Sequence, residues 1–203
     1  GSPYAISASN AAGGTFNSGN YTITYNNGSL TISPAALAVT AKNPAKTYGQ
    51  RVSFTGSEFT SSGLQNGETI GSVSLTSLGA AATANVAGSP YAITPSAATG
   101  GTFSAGNYTI SYNDGSLTIS PAALAVTANN AAKTYGQTVN FAGTEFTSSG
   151  LQNGETIGSV TLASAGAAAT ANVAGSPYAI AASNATGGTF AAGNYTISYN
   201  DGS

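Results

Sequence analysis

The residues that could do chemistry in this sequence are few, and most of them recur at a fixed interval. Asp114 and Asp201 stand in the repeated segment NYTISYNDGS, and Asn27 takes the same place in an earlier copy. A calcium site needs six to eight oxygen ligands from several converging groups, which one carboxylate per copy does not provide. An Asn-Gly or Asp-Gly between two alternating segments is typical of a type I′ hairpin turn. We therefore predict a turn, with a metal or ligand contact as the alternative.

Four glutamates form two equivalent pairs, Glu58 with Glu68 and Glu145 with Glu155. Two carboxylates that face each other across a cleft can hydrolyse a glycosidic bond. No aromatic-rich cleft signature accompanies these pairs, and the chain has no His or Trp to support them. We predict solvated turn carboxylates, no catalytic, cofactor-binding or metal-binding residues, and a protein that is not an enzyme.

Two lysines, Lys46 and Lys133, each precede the segment TYGQ. In some extracellular domains a buried lysine forms an isopeptide bond with an asparagine beside a catalytic acid. Here Lys133, Asn153 and either Glu145 or Glu155 are the conceivable partners. The alternative, which we favour, is a surface lysine next to a turn.

Each of these lysines is followed two residues later by a tyrosine, Tyr48 or Tyr135. A tyrosine at a strand corner usually packs its ring and hydrogen-bonds its hydroxyl. The 11 tyrosines of the chain are spread evenly, which favours packing over the alternative of sugar stacking.

Five asparagines match the acceptor pattern for N-glycosylation. They are Asn20, Asn107 and Asn194 in Asn-Tyr-Thr, Asn27 in Asn-Gly-Ser and Asn184 in Asn-Ala-Thr. Because Asn and Thr are common throughout the chain, a chance match and a glycan site both stay open.

The composition excludes several classes of protein. Only 5% of residues are charged, against roughly a quarter in an average soluble domain. The four Lys and Arg residues cannot form the basic patch that nucleic acids or anionic membranes require. There is no Cys for a disulfide or thiolate site. No apolar run reaches the ~18 residues of a membrane span, so we expect neither nucleic-acid binding nor membrane insertion.

The sequence is a tandem repeat. The segment GSPYAI begins at residues 1, 88 and 175, which are 87 apart, and residues 35–116 match 122–203 at 69 of 82 positions. Solenoid units of 20–45 residues are much shorter, so each unit has the size of a small domain with its own core. Pro34 and Pro121 punctuate the repeat. We predict the C-terminal part of a preceding repeat at 1–33, a complete repeat at 34–120, and a repeat without its last strand at 121–203.

Large apolar residues alternate with small or polar ones, which is the period of a β-strand. The pattern is clearest at 37–41, 51–56, 71–77, 89–94, 107–112 and 116–120. Residues 61–69 have room for a single helical turn, and the Ala-rich residues 78–88 are predicted to form a loop or an edge strand. Short, regularly spaced strands indicate an all-β fold of tandem antiparallel immunoglobulin-like β-sandwich domains. A β-grasp-like sheet with one short helix is the alternative.

Several segments in order resemble the MBG-type (YGX/YDG) repeats of large secreted bacterial adhesins similar to filamentous haemagglutinins. They are LAVTA, KTYGQ, SGLQNGETIGSV, AGSPYAI and GNYTISYNDGSLTIS, beginning at residues 37, 46, 62, 87 and 106. The resemblance implies a secreted protein of the bacterial cell surface and assigns no catalytic residues.

Two functions are consistent with this resemblance. The first is a stalk or filament that spaces a distal binding domain from the cell, with neighbouring repeats of the same chain as partners. The second is a binding module in each repeat, for glycans or for homotypic chain–chain association in biofilm, strengthened by multiplicity. In the homotypic version, the edge at 121–203 accepts a strand from another chain by β-augmentation.

Overall fold

The computed structural model describes residues 2–203; Gly1, the first residue of the predicted segment 1–33, lies outside the described residues. Within residues 2–203 the chain forms 14 strands and no α-helix. The strands are β1 (Tyr4–Ile6), β2 (Gly28–Leu30), β3 (Ala35–Ala41), β4 (Ala45–Thr47), β5 (Phe59–Ser62), β6 (Ile70–Thr76), β7 (Tyr91–Gly101), β8 (Tyr108–Asn113), β9 (Gly115–Ser120), β10 (Ala122–Ala128), β11 (Phe146–Ser149), β12 (Ile157–Ala163), β13 (Ala181–Gly188) and β14 (Tyr195–Asn200). The predicted all-β class is confirmed.

Short 3-10 turns are the helical elements of the described residues. They lie at Ser18–Asn20, Leu78–Ala80, Val86–Gly88, Ala105–Asn107, Ala165–Ala167, Val173–Gly175 and Ala192–Asn194. Residues 61–69 contain the end of β5 and a hydrogen-bonded turn but no helix. The short helix of the β-grasp-like alternative is therefore not found within residues 2–203. No helix within residues 2–203 is long and apolar enough to cross a membrane.

Residues 34–120 form a two-layer sandwich. One sheet has the strand order β5-β3-β8 and the other β4-β9-β7-β6. Leu37 and Val39 of the first sheet pack with Val73 of the second, and all three are fully buried. A second buried cluster joins Ile93 and Leu117 to the end of β3. Burying these apolar side chains between the layers is what holds the two sheets together.

The following repeat has the same plan. Its strands form a sheet of order β11-β10-β14 and a pair β12-β13. Residues 132–134 correspond to β4 but form no strand, because the described residues contain no counterpart of most of β9. Before residue 34, the described chain contributes only the antiparallel pair β1-β2, in which Tyr4 faces Leu30. Tyr91 faces Leu117 in the same way in the complete repeat.

Two segments of the complete repeat run parallel to each other through both sheets. In the first sheet Ala35 of β3 faces Tyr108 of β8, and in the second Ala45 of β4 faces Thr118 of β9. The offset is 73 residues in both sheets, so the segments 35–47 and 108–120 cross from one sheet to the other together. The strictly antiparallel arrangement predicted from sequence is therefore corrected to mixed sheets.

This arrangement places the two ends of the repeat far apart. The chain enters at residue 35, beside the start of β8, and leaves at residue 120, beside the end of β4. Thirteen extended residues separate the two levels, which corresponds to about 40 Å at ~3.3 Å per residue.

The Asn-Asp-Gly segment is not the hairpin turn predicted from sequence. β8 and β9 do not pair with each other; Asp114 is the single residue between them, where the chain changes sheets. Neither Asp114 nor Gly115 has a positive φ, whereas a type I′ turn requires it at both central positions. A Cβ on Gly115 would lie 2.4 Å from the carbonyl oxygen of Lys42. The glycine is needed for close backbone approach, and Gly202 makes the equivalent approach to the carbonyl oxygens of Ala128 and Asn129.

For residues 51–56 and 78–88, the pattern of apolar and polar residues did not determine whether a strand forms. The first segment forms no strand, yet Val52 and Phe54 pack against the cluster of Ile93 and Leu117. The backbone of residues 51–56 is hydrogen-bonded to a loop and not to a strand, since Val52 N donates to the carbonyl oxygen of Ala80 (3.0 Å). Residues 78–88 form no strand and are a loop with two 3-10 turns, which was one of the two predicted outcomes.

The crossing point gives a first prediction. Gly115→Ala places a methyl group against the backbone of β3 and should lower the free energy of unfolding of residues 34–120 by about 1–3 kcal/mol, as overpacking does. Chemical denaturation followed by tyrosine fluorescence measures this. Gly106→Ala is the matched control, because a Cβ there meets nothing within 4 Å. Equal stability of the two variants would contradict the role assigned to Gly115.

Candidate functional site

The Tyr-Gly-Gln turn that follows β4 is held at the exit end of the complete repeat. Lys46 Nζ donates to the carbonyl oxygens of Gln50 (2.9 Å) and Ala81. Tyr48 N donates to the carbonyl of Ser120 at the end of β9 (2.9 Å). Lys46 is buried, and this burial lowers its pKa. The lysine is thus an internal brace of the turn rather than the surface residue that we favoured.

Tyr48 contacts the following repeat. Its hydroxyl donates to Glu155 Oε1 (2.5 Å), and the hydroxyl of Tyr195 donates to Glu155 Oε2. The rings of Tyr48 and Tyr195 pack edge to face, with centroids 5.5 Å apart and planes at 78°. Hydrogen bonds to an ionised carboxylate are stronger than bonds between neutral groups. We call this contact between residues 34–120 and 121–203 the joint.

Two asparagines extend the joint. Asn194 Oδ1 accepts from Val86 N (2.9 Å), and Asn194 Nδ2 donates to Asn85 Oδ1 (2.8 Å). Asn153 Nδ2 donates to the carbonyl of Ala82 (3.4 Å). Each bond joins a loop of the first repeat to the entry end of the second, so the relative orientation of the repeats is specified at several points.

A glycine stands where the turn meets the next repeat. A Cβ on Gly49 would lie 2.3 Å from Gln152 Oε1, and Gly49 has a φ of +88°. Gly136, the equivalent residue of the next repeat, has nothing within 4 Å of such a Cβ. Gly49 therefore satisfies both a turn geometry and a contact with the neighbouring repeat.

In the second repeat, the residues equivalent to Tyr48 and Val86 have no further repeat in contact with them, and they are exposed. Tyr135 is 63% exposed, whereas its equivalent Tyr48 is 3% exposed. Val173 is 73% exposed, whereas Val86 is partly buried and packed against the core of the next repeat. The neighbouring repeat thus contributes to the burial of Tyr48, which also lies in one buried cluster with Ile119 of its own repeat.

The accepting half of the joint is built within each repeat. Tyr108 Oη donates to Glu68 Oε2 and accepts from Gln65 N (2.9 Å). This is the arrangement of Tyr195, Glu155 and Gln152 in the next repeat. The carboxylate is therefore positioned by its own repeat and keeps one oxygen for a tyrosine from another.

The joint raises the pKa values of its two tyrosines. Burial, together with the hydrogen bond to Glu155, raises the pKa of Tyr195 to about 12. The pKa of Tyr48 is raised by the same two causes, burial first. Both effects favour the neutral phenol, since ionisation would put a phenolate beside a carboxylate.

Glu58 and Glu145 stabilise their own turns, whereas Glu155, which was also predicted to be a solvated turn carboxylate, accepts from two tyrosines instead. Glu58 accepts from Thr55 Oγ1 (2.7 Å) and from the backbone N–H groups of residues 55–57. Partial burial acts to raise the pKa of Glu58, but these hydrogen bonds outweigh it and lower the pKa to about 2. Glu145 makes the equivalent backbone bonds, and its pKa is lowered as well.

The residues of the isopeptide hypothesis are not brought together. Lys133 Nζ donates to the carbonyl oxygens of Gln137 (3.0 Å) and Ala168. Asn153 bonds a carbonyl of the preceding repeat, and Glu155 accepts from tyrosines. The lysine therefore braces its turn in the same way as Lys46.

The asparagine sequons divide into two groups. Asn194 is 3% exposed and its amide is engaged in the joint, which is incompatible with a glycan at that residue. The other four are exposed: Asn20, Asn27, Asn107 and Asn184. Glycosylation of these four stays a prediction. Within residues 2–203, no group of three or more His, Cys, Asp or Glu side chains is arranged to hold a metal ion.

Sequence reasoning identified Tyr48 as a packed, hydrogen-bonded side chain but missed its partner, which lies 107 residues away. The available signal was that TYGQ and LQNGE recur with the same period, so every repeat carries both halves of a contact. Nothing in a single unit indicates that the two halves meet between repeats.

The fold and the joint define an all-β tandem-repeat protein with consecutive units in direct contact. A family model for the MBG domain (YGX type) matches residues 37–118 and 124–203. The two matches cover most of the chain, and the chain therefore belongs to the MBG domain family, with two domains in tandem. Comparison with curated proteins and with solved structures found no match.

The raised pKa values predict that the joint weakens in alkali. An unfolded tyrosine titrates near 10, so the stability contributed by neutral Tyr195 is complete below pH ~10 and is lost as pH rises through its folded pKa of about 12. Titration of ring-labelled tyrosine by NMR should show Tyr195 ionising late. Glu155→Gln should shift this titration to lower pH, because it removes the carboxylate charge. Ionisation of Tyr195 near pH 10 in the native protein would contradict the assignment.

Proposed function

We propose that the chain is part of the stalk of a secreted bacterial cell-surface adhesin and spaces a distal binding domain from the cell. The observation that carries this proposal is the joint, in which one repeat buries Tyr48 against Glu155 and Tyr195 of the next. A spacer keeps its reach only when consecutive units hold a preferred orientation. A bare flexible linker would let the units fold back on each other.

The position of the chain ends supports the same function. The first and last residues of each repeat lie at opposite ends of it, about 40 Å apart as estimated from strand length. The next repeat begins directly after Pro121, since β9 ends at Ser120 and β10 starts at Ala122. Repeats connected in this way add length with every copy.

The near identity of the copies also favours a mechanical role. The complete repeat and its successor match at 69 of 82 aligned positions, and the differences leave both halves of the joint unchanged: Tyr, Gly and Gln in the turn, and Glu, Tyr and Asn in the acceptor. Selection for a spacer acts on all copies alike, whereas a ligand site needs only one copy to carry it.

The proposal predicts a defined distance between equivalent points of consecutive repeats. Ser61 and Ser148 are exposed, 87 residues apart, and the chain has no cysteine. Spin labels on Ser61→Cys and Ser148→Cys should give a narrow distance distribution centred at about 40 Å, as strand length implies. Double electron–electron resonance measures it.

The joint is tested in the same labelled protein. Tyr48→Ala should broaden the distribution, because the ring contact and the bond to Glu155 are lost together. Tyr135→Ala removes the equivalent tyrosine, which is exposed in this chain, and should leave the distribution unchanged. A broad distribution before any substitution, or a short mean distance from units folded back on each other, would overturn the proposed function.

A further inference from the structure

We propose that each repeat is a mechanical clamp: its two parallel segments, 35–47 and 108–120, carry tension along the stalk by resisting shear. This inference rests on the proposed function only in that the stalk supplies the load. The resistance itself is a property of the repeat and can be measured whether or not the chain is a stalk.

The first and last strands of the repeat are direct hydrogen-bonded neighbours. β3 pairs with β8 over six positions, from Ala35↔Tyr108 to Thr40↔Asn113. β4 pairs with β9 over three more, from Ala45↔Thr118 to Thr47↔Ser120. Both pairings are parallel, so the entering and leaving segments point in the same direction along the repeat. The next repeat begins the same way, with Ala122 facing Tyr195.

Parallel pairing of the two terminal segments determines how tension acts on them. Force enters at residue 35, the start of one segment, and leaves at residue 120, the end of the other. It therefore pulls the two segments past each other along their own length. All ladder bonds between them are loaded at once, whereas an antiparallel hairpin pulled at its open end breaks one bond pair after another. The rate of forced unfolding follows the barrier to the first irreversible break, so simultaneous loading makes the repeat resistant.

Side chains continue the ladder across the point where the segments change sheets. Asn43 Oδ1 accepts from Ser116 N (2.7 Å), in the gap between the two backbone ladders. Just before this gap, Asn113 Nδ2 donates to Thr40 Oγ1 (3.1 Å). Both bonds keep the 73-residue offset of the ladders. The next repeat has both bonds as well: Ser203 N donates to Asn130 Oδ1 (2.8 Å) and Asn200 Nδ2 donates to Thr127 Oγ1 (3.2 Å).

The direction of pulling is the decisive variable, and the absence of cysteine from the sequence allows it to be chosen. Ser33→Cys with Ser120→Cys attaches handles at the two ends and loads the clamp in shear. Thr76→Cys with Thr94→Cys attaches them at facing residues of the antiparallel pair β6-β7 and unzips it. All four positions are exposed. At the same loading rate, single-molecule force spectroscopy of the full chain should give a severalfold higher unfolding force in shear.

Asn43→Ala then tests the bridge between the ladders. It should lower the unfolding force in the shear direction and leave the unzipping force of β6-β7 unchanged, because Asn43 contacts neither of those strands in the hydrogen-bond network. Equal forces in the two directions would overturn the clamp. So would an Asn43→Ala effect of the same size in both directions, since that would report general destabilisation.

The result is separable from the test of the stalk. A narrow spin-label distance distribution, together with equal unfolding forces in the two pulling directions, would support the spacer and contradict the clamp. A broad spin-label distance distribution, together with a much higher unfolding force in shear, would support the clamp and contradict the spacer.

Discussion

The constraint on which this structure depends is the constant offset of 73 residues between two parallel segments of each repeat. Because β3 and β8 run in register, they must leave their sheet at the same level and enter the second sheet together as β4 and β9. Their backbones come into close contact at that level, which leaves no space for a side chain at Gly115. Asn43 supplies the acceptor that the interrupted ladder lacks. The same alignment separates the entry and the exit of the chain.

The joint follows from this separation. Tyr48 is tied by its backbone to Ser120, the last residue of β9, so its ring projects at the exit. In the next repeat Tyr195 faces Ala122, the first residue of β10, so the carboxylate it positions lies at the entry. A single proline between the two repeats therefore brings the tyrosine of one to the carboxylate of the other. Covalent continuity and non-covalent contact act at the same place.

Alternation in the sequence predicted which side chains face the core but not which strands are neighbours. Leu37, Val39 and Leu117 are buried as their period requires, yet nothing in that period distinguishes a parallel from an antiparallel partner 73 residues away. Asp114-Gly115 was misinterpreted for the same reason. The local signal is that of a hairpin, whereas the reason for the glycine is a contact with Lys42. Val52 and Phe54 fill the core from a loop, so alternation did not imply a ladder.

Different interactions hold each repeat together and hold consecutive repeats to each other. The two sets of interactions therefore differ in their sensitivity to salt. Within a repeat, cohesion along the axis comes from backbone ladders and buried apolar side chains, which salt does not screen. Between repeats it comes from hydrogen bonds of Glu155, Asn153 and Asn194 and from the packing of Tyr48 and Val86. Because only 5% of residues are charged, Glu155 is one of the few groups on which added salt can act. The joint can open while Pro121, between β9 and β10, keeps the repeats connected. Because Tyr195 holds Glu155 within its own repeat, separation of Tyr48 leaves the accepting carboxylate in place.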